Sequence, residues 1–178
     1  LSSLPLWDLA EPVMHKLVEE TKESCSAAVL EGADVVYVLR VPTHKIMSIS
    51  LGIGSRLPAS CTSMGRMLLS DLDDAALDAL LRDHPPVRHT ARTITDTAAL
   101  KAEIAAARRQ GWCLVDQELE EGLVSLAAPI RDRSGRVIAA MNIGGQAVRT
   151  PASHMLEHFL PRLLEAARQI SSMLQKKS

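Results

Sequence analysis

GSRLPASCTSMGRMLL, residues 54–69, is the stretch around which the rest of the chain is arranged. An apolar strand over 46–53 runs into Gly54-Ser55-Arg56. Pro58 then interrupts regular structure, because it has no N–H and restricts the residue before it. The small polar residues Ser60, Cys61, Thr62 and Ser63 follow, and Met64, Met67 and Leu68 recur at helical spacing. Ser60 or Thr62 is the natural N-cap. A helix start carries unpartnered N–H groups and partial positive charge, which suits a small carboxylate. Ordinary capping accounts for the same residues without a ligand.

On the N-terminal side, Leu6, Leu9, Val13, Met14, Leu17 and Val18 form one stripe of a helix over 6–22, with Asp8 and Glu11 in its first turns. Strands over 26–31 and 35–40 flank a turn at Gly32-Ala33-Asp34. With 46–53 they make an antiparallel meander. In that third strand Met47, Ile49, Leu51 and Ile53 share one face, and Ser48 and Ser50 the other. On the C-terminal side, helices cover 73–81 and 97–110. The first is stopped by His84-Pro85-Pro86; the second is capped by Thr95 or Asp96 and closed by Gly111. A strand over 112–116, an acidic loop over 117–122 and strands over 123–130 and 136–143 follow, the last two joined by the turn Asp132-Arg133-Ser134-Gly135. The final helix, 151–175, has Thr150 as N-cap, Pro151 at its first position and Pro161 as a kink point. The pattern is that of an α+β domain with helices laid on an antiparallel sheet.

The chain has 178 residues and can bury a real core in one domain. Its net charge of −1 lacks the basic excess of a nucleic-acid surface. Trp7, Tyr37, Trp112 and Phe159 are too few and scattered for base stacking. No apolar run approaches the roughly 20 residues of a membrane span, and no secretory signal is visible. Cys25, Cys61 and Cys113 are odd in number and far apart, as suits reduced thiols in a cytoplasm. Because the chain opens at Leu1, already entering a helix, a fragment with its N-terminal part missing is expected.

The second hairpin sets Ser125 opposite Asn142 and Leu123 opposite Gly144, all four on one face, unless a bulge at Gly135 slips the register. Ser125 and Asn142 interrupt apolar strands and need partners, supplied by a ligand, by water or by each other. Asp116 ends the apolar run Trp112-Cys113-Leu114-Val115. It would accept a bond from a ligand hydroxyl or cap a turn. A catalytic reading rests on Cys61, whose place near a helix tip would favour the thiolate. Its base would come from His15, His44, His84, His89, His154 or His158, none with a diagnostic spacing. His154 and His158 have a metal-compatible spacing that no further ligand completes. There is no phosphate loop, dinucleotide fingerprint or nucleophile elbow. The expectation is therefore a protein that is not an enzyme and holds no metal or cofactor.

Several of these segments carry a family resemblance. Gly54-Ser-Arg-Leu-Pro58 followed by Thr62-Ser-Met-Gly-Arg66 resembles the central signature of the IclR family of bacterial transcriptional regulators. So do Gly111-Trp112 through Asp116-Gln117-Glu118 with Glu121-Gly122-Leu123, the run Ala127-Ala128-Pro129-Ile130, and Ala140-Met-Asn-Ile-Gly144. The similarity covers the family's C-terminal effector-binding domain; the N-terminal winged helix-turn-helix is absent from these residues. Residues 54–69 are most similar to members that govern aromatic-acid catabolism through the β-ketoadipate pathway. The resemblance implies a GAF-like, profilin-like curved antiparallel sheet of about six strands flanked by helices. It also implies an acid effector of the protocatechuate, 4-hydroxybenzoate or β-ketoadipate type, held between the sheet and the helix after the central loop.

By that resemblance Ser63 and Met64 match backbone donors, Asp116, Ser125, Asn142 and Gly144 match polar contacts, and Ile46, Ile49, Leu57 and Leu123 match an apolar patch. Family members for small oxo-acids have Gly-Ala in place of Ser63-Met64 and serines in place of Asn142 and Gly144, so the pocket here differs in shape and polarity. The expected function is effector sensing without catalysis, with the N–H groups of 61–64, including that of Cys61, on the carboxylate and Arg56 assisting. The expected partners are a small-molecule acid, DNA only through the absent domain, no membrane, and a second copy in a homodimer or dimer of dimers. A purely structural oligomerisation module is the alternative.

Overall fold

The computed structural model describes residues 3–43 and 51–176. Helix α1 (Ser3–Thr21) starts earlier than its apolar stripe indicates, so Asp8 and Glu11 lie beyond its first turn. Strands β1 (Ser24–Glu31) and β2 (Asp34–Val41) pair through a turn in which Gly32 takes φ 62°, a conformation that favours glycine. Most of the strand expected over 46–53 lies outside the described residues, and 51–53 are not extended. The third strand of the meander is instead β3 (Arg56–Pro58), with Leu57 opposite Val35. Pro58 is tolerated there because β3 is an edge strand, where a missing N–H breaks no ladder.

Three helices leave the sheet and return to it: α2 (Ser63–Leu69), α3 (Asp74–Asp83) and α4 (Thr97–Gln110). Their starts follow capping chemistry. Thr62, Asp73 and Asp96 each accept a bond from a first-turn N–H of the helix that follows. Gly111 closes α4 with φ 78°. The second meander is β4 (Cys113–Asp116), β5 (Leu123–Arg131) and β6 (Val137–Gln146). All six strands form one curled antiparallel sheet in the order β3-β2-β1-β6-β5-β4, so the two meanders join where β1 pairs with β6.

In the β5–β6 hairpin Ser125 stands opposite Gly144 and Leu123 opposite Gln146. This is a slip of two residues from the expected pairing. One comes from the turn, where Asp132 bonds to Arg136 and Gly135 has φ 90°; the other is an irregularity between Ile130 and Arg131. An even slip preserves the faces, so Leu123, Ser125, Asn142 and Gly144 still share one side.

Both faces of the sheet are covered. Met14 and Leu17 of α1 pack with Leu126, Met141 and Ile143 of the sheet, as do residues of the C-terminal helix. Met64, Met67 and Leu69 of α2 and Leu100 and Ile104 of α4 pack on the opposite face against Tyr37, Val115 and three alanines, Ala28, Ala127 and Ala140. Each such side chain, fully buried, contributes about 1.5–3 kcal/mol. The alanines leave room for α2 to lie low on the strands.

The C-terminal helix is one run in three parts: α5 (Ala152–His154), a π turn (Met155–Phe159) and α6 (Leu160–Lys176). The wide turn precedes Pro161, whose ring and missing N–H disrupt the regular bond to the preceding turn. Thr150 is not its cap: Pro151 takes that position, and the Thr150 hydroxyl donates to the Gln146 carbonyl at 3.2 Å. Among the described residues no helix is long and apolar enough to cross a membrane.

Candidate functional site

Where α2 meets the sheet it leaves a cavity lined by side chains of both and open to solvent at its mouth. The turn before α2 shapes one wall. Ala59 N–H bonds back to Ala33, and the Thr62 hydroxyl donates to Pro58 O at 2.8 Å while accepting from Gly65 N–H at 3.2 Å. These bonds aim Cys61, Ser63 and Met64 inward. Leu57, Leu123, Ser125, Asn142 and Gly144 line the same space, so most of the residues named from sequence meet there.

Two do not. Arg56 lies on the exposed edge of the first meander, bonded to Glu31 at 3.0 Å and Asp34 at 3.2 Å. Those carboxylates occupy its guanidinium, so it does not assist a ligand in the cavity. Asp116 pairs with Arg92 at 2.8 Å. Val115 lines the cavity, so the next residue of β4 projects through the other side of the sheet, opposite Val124 in the α1 core. Ile46 and Ile49 lie outside the described residues.

The polar wall is already hydrogen-bonded internally. Asn142 Oδ1 accepts from Ser26 N–H at 2.9 Å, which orients the amide so that Nδ2 donates to Ser125 Oγ at 3.1 Å. Ser125 Oγ meets Ser63 Oγ at 2.5 Å. Of the partners weighed for Ser125 and Asn142, each other is the one observed.

Sequence reading missed Tyr37, Val115, Leu119 and, above all, Arg40. The Arg40 guanidinium is half-buried and donates to the hydroxyls of Ser26 at 3.2 Å and Ser24 at 3.5 Å. Among the described residues it is the one charged side chain lining the cavity, and no carboxylate pairs with it. A cation set in the otherwise uncharged run 35–41 was the available signal. Burial pushes Cys61 up to about 11, against the lowering effect of nearby Arg66. Burial likewise pushes Tyr37 up to about 12, against the charge of Arg40. Both stay neutral at neutral pH, so among the described lining residues Arg40 carries the one charge.

Residues 1–172 match the family described as bacterial transcriptional regulator IclR, C-terminal. The chain belongs to the IclR family. This IclR C-terminal domain is 43% identical over 175 residues to the Pca regulon regulatory protein of Pseudomonas putida, covering 98% of this chain and 60% of that protein. It thus spans about 60% of that relative's length. A structure described as a transcriptional regulator from Rhodococcus sp. RHA1 superposes with a TM-score of 0.94 at 47% identity, over 98% of this chain and 70% of that one. The inducer-binding domain of PobR from Acinetobacter, a double mutant in complex with 3-hydroxybenzoic acid, superposes with a TM-score of 0.87 at 29% identity, over 93% of this chain and 97% of that one.

Proposed function

We propose that this IclR-family domain senses a small acid of aromatic catabolism, of the protocatechuate, 4-hydroxybenzoate or β-ketoadipate type, in the cavity beneath α2. The observation that carries this is Arg40. A charge half withdrawn from water and bonded, among the described residues, to neutral hydroxyls gains from an anion that joins it. An effector carboxylate would supply that anion, and charge-assisted bonds of this kind contribute about 1.5–3 kcal/mol each. The ring or chain would lie against Leu57, Met64, Val115 and Leu123, with Ser125 and Asn142 beside its second polar group. The hydroxybenzoate in the PobR domain and the name of the Pseudomonas relative support the same class of ligand.

The domain would act without catalysis. The Cys61 thiol is held protonated by burial, and no histidine lines the cavity among the described residues. DNA contact would be made by a winged helix-turn-helix outside these residues, in a cytoplasmic homodimer or dimer of dimers. The effector would regulate it only through different affinities for two arrangements of that assembly. Calorimetry with protocatechuate, 4-hydroxybenzoate and β-ketoadipate tests this reading. At least one acid should bind the wild-type domain, and Arg40→Gln should weaken that binding at least about tenfold. Absence of heat with all three overturns it and favours a structural module.

A further inference from the structure

Arg66 lies on α2 and is only 1% exposed, yet it is not part of the cavity lining. Its two terminal nitrogens donate to the Glu118 carboxylate at 2.8 and 2.5 Å, and its Nε donates to the Ser60 carbonyl at 3.0 Å. Glu118, 7% exposed, also accepts from Ile94 N–H at 3.1 Å, and its carbonyl accepts from the Thr93 hydroxyl at 2.6 Å. The Arg66–Glu118 pair therefore joins three segments: the turn before α2 through Arg66, and the loop before α4 through Glu118 in the loop after β4.

The positions of these bonds matter more than their number. Ser60 adjoins Cys61, and Glu118 adjoins Leu119; both neighbours line the cavity, on walls that come from opposite ends of the α2–β4 crossover. A planar fork fixes both distance and orientation between the groups it joins, as a single ammonium does not. We infer that Arg66 and Glu118 are positioning residues for the effector. They touch no ligand, but they hold the 60–64 turn and the 118–123 loop at the separation that fits it. This rests on the sensing role proposed above. Binding to a cavity whose walls are unpinned must also order them, which weakens affinity without removing any contact.

A buried ion pair that served only the fold could be replaced by apolar residues of similar volume at little loss of stability. The test is therefore Arg66→Met combined with Glu118→Leu, alongside Arg66→Lys, which keeps the charge but loses the fork. Thermal melting and calorimetry with the three acids above are measured on each. The expected result is a double variant that still melts cooperatively, below wild type because Ser60 C=O and Ile94 N–H lose their partners, yet binds at least about tenfold more weakly, with Arg66→Lys also weakened. Wild-type affinity in either folded variant overturns the inference and leaves the sensing role intact. Failure of both variants to fold overturns it too, by making the pair a folding element. Absence of binding to the wild-type domain overturns both.

Discussion

A Cβ placed on Gly65 would lie 2.1 Å from the carbonyl oxygen of Ala59 and 2.3 Å from its Cα. Both are backbone atoms, and Ala59 is held in turn by its bond to Ala33, so neither partner can yield cheaply. Alanine inside a helix is ordinarily better than glycine by about 1 kcal/mol. Here the sign reverses: Gly65→Ala should destabilise the domain by about 3 kcal/mol or more, since α2 must lift from the turn that caps it. Chemical denaturation checks this, and a variant as stable as wild type would refute the close approach.

Removing one half of the Arg66–Glu118 pair should cost more than removing both. Glu118→Gln keeps the shape but leaves the buried guanidinium without its counter-charge, a loss of about 3–5 kcal/mol. For a domain of this size that is on the order of 10 °C in melting temperature. Arg66→Met added to Glu118→Leu should recover part of it, the remainder being the bonds to Ser60 C=O and Ile94 N–H that the double variant lacks. A melting curve for Glu118→Gln within a degree or two of wild type would show that the pair is solvated.

The apolar periodicities and capping residues were enough to read the fold class: helix stripes, the Asp96 and Gly111 ends of α4, and the second meander follow from local chemistry, whereas the third strand of the first meander is Arg56–Pro58 and not 46–53. What they could not give was the exchange of partners across distance. Thr150 looked like a cap but bonds to Gln146, and Asp116 looked available but belongs to Arg92. The period of two in Cys113-Leu114-Val115-Asp116 held enough information to place Asp116 on the far face once Val115 was placed in the core. Arg40 was passed over because a charge within a strand reads as surface until the neighbouring strands and α2 are assembled around it. The Ser125–Asn142 face was recovered despite a wrong register only because two single-residue slips preserve parity.

The buried thiols give the domain an alkaline limit. Burial pushes Cys61 up to about 11 and Cys113 up to about 12, from an ordinary value of 9.0. A folded-state value above the unfolded one means that the fold favours the protonated thiol. That contribution is complete below pH 9 and is lost as pH rises through the folded values, by up to about 1.4 kcal/mol per pH unit for each ionising group. Melting temperature should therefore fall from about pH 9 upward, less steeply in Cys61→Ala. At neutral pH, alkylation of Cys61 should be about a hundredfold slower than that of a free thiol, through its smaller thiolate fraction. Alkylation as fast as that of free cysteine would count against the burial and reopen a nucleophilic role.

Asn142 separates a structural contribution from a ligand-binding one, because its two ends do different things. Its oxygen accepts from Ser26 N–H, and its nitrogen donates to Ser125 beside the cavity. Asn142→Ala removes both bonds and leaves a backbone donor unsatisfied, so stability should drop by about 1–3 kcal/mol. Asn142→Asp keeps an acceptor for Ser26, and the Ser125 hydroxyl can turn to donate, so the fold should lose less. The new carboxylate, however, would face the cavity that holds Arg40 and would compete with any acid for that charge. Calorimetry with protocatechuate and β-ketoadipate should then show binding weakened in Asn142→Ala and lost in Asn142→Asp. Equal heats for wild type and both variants would remove Asn142 from the effector site while leaving its bond to Ser26 in place.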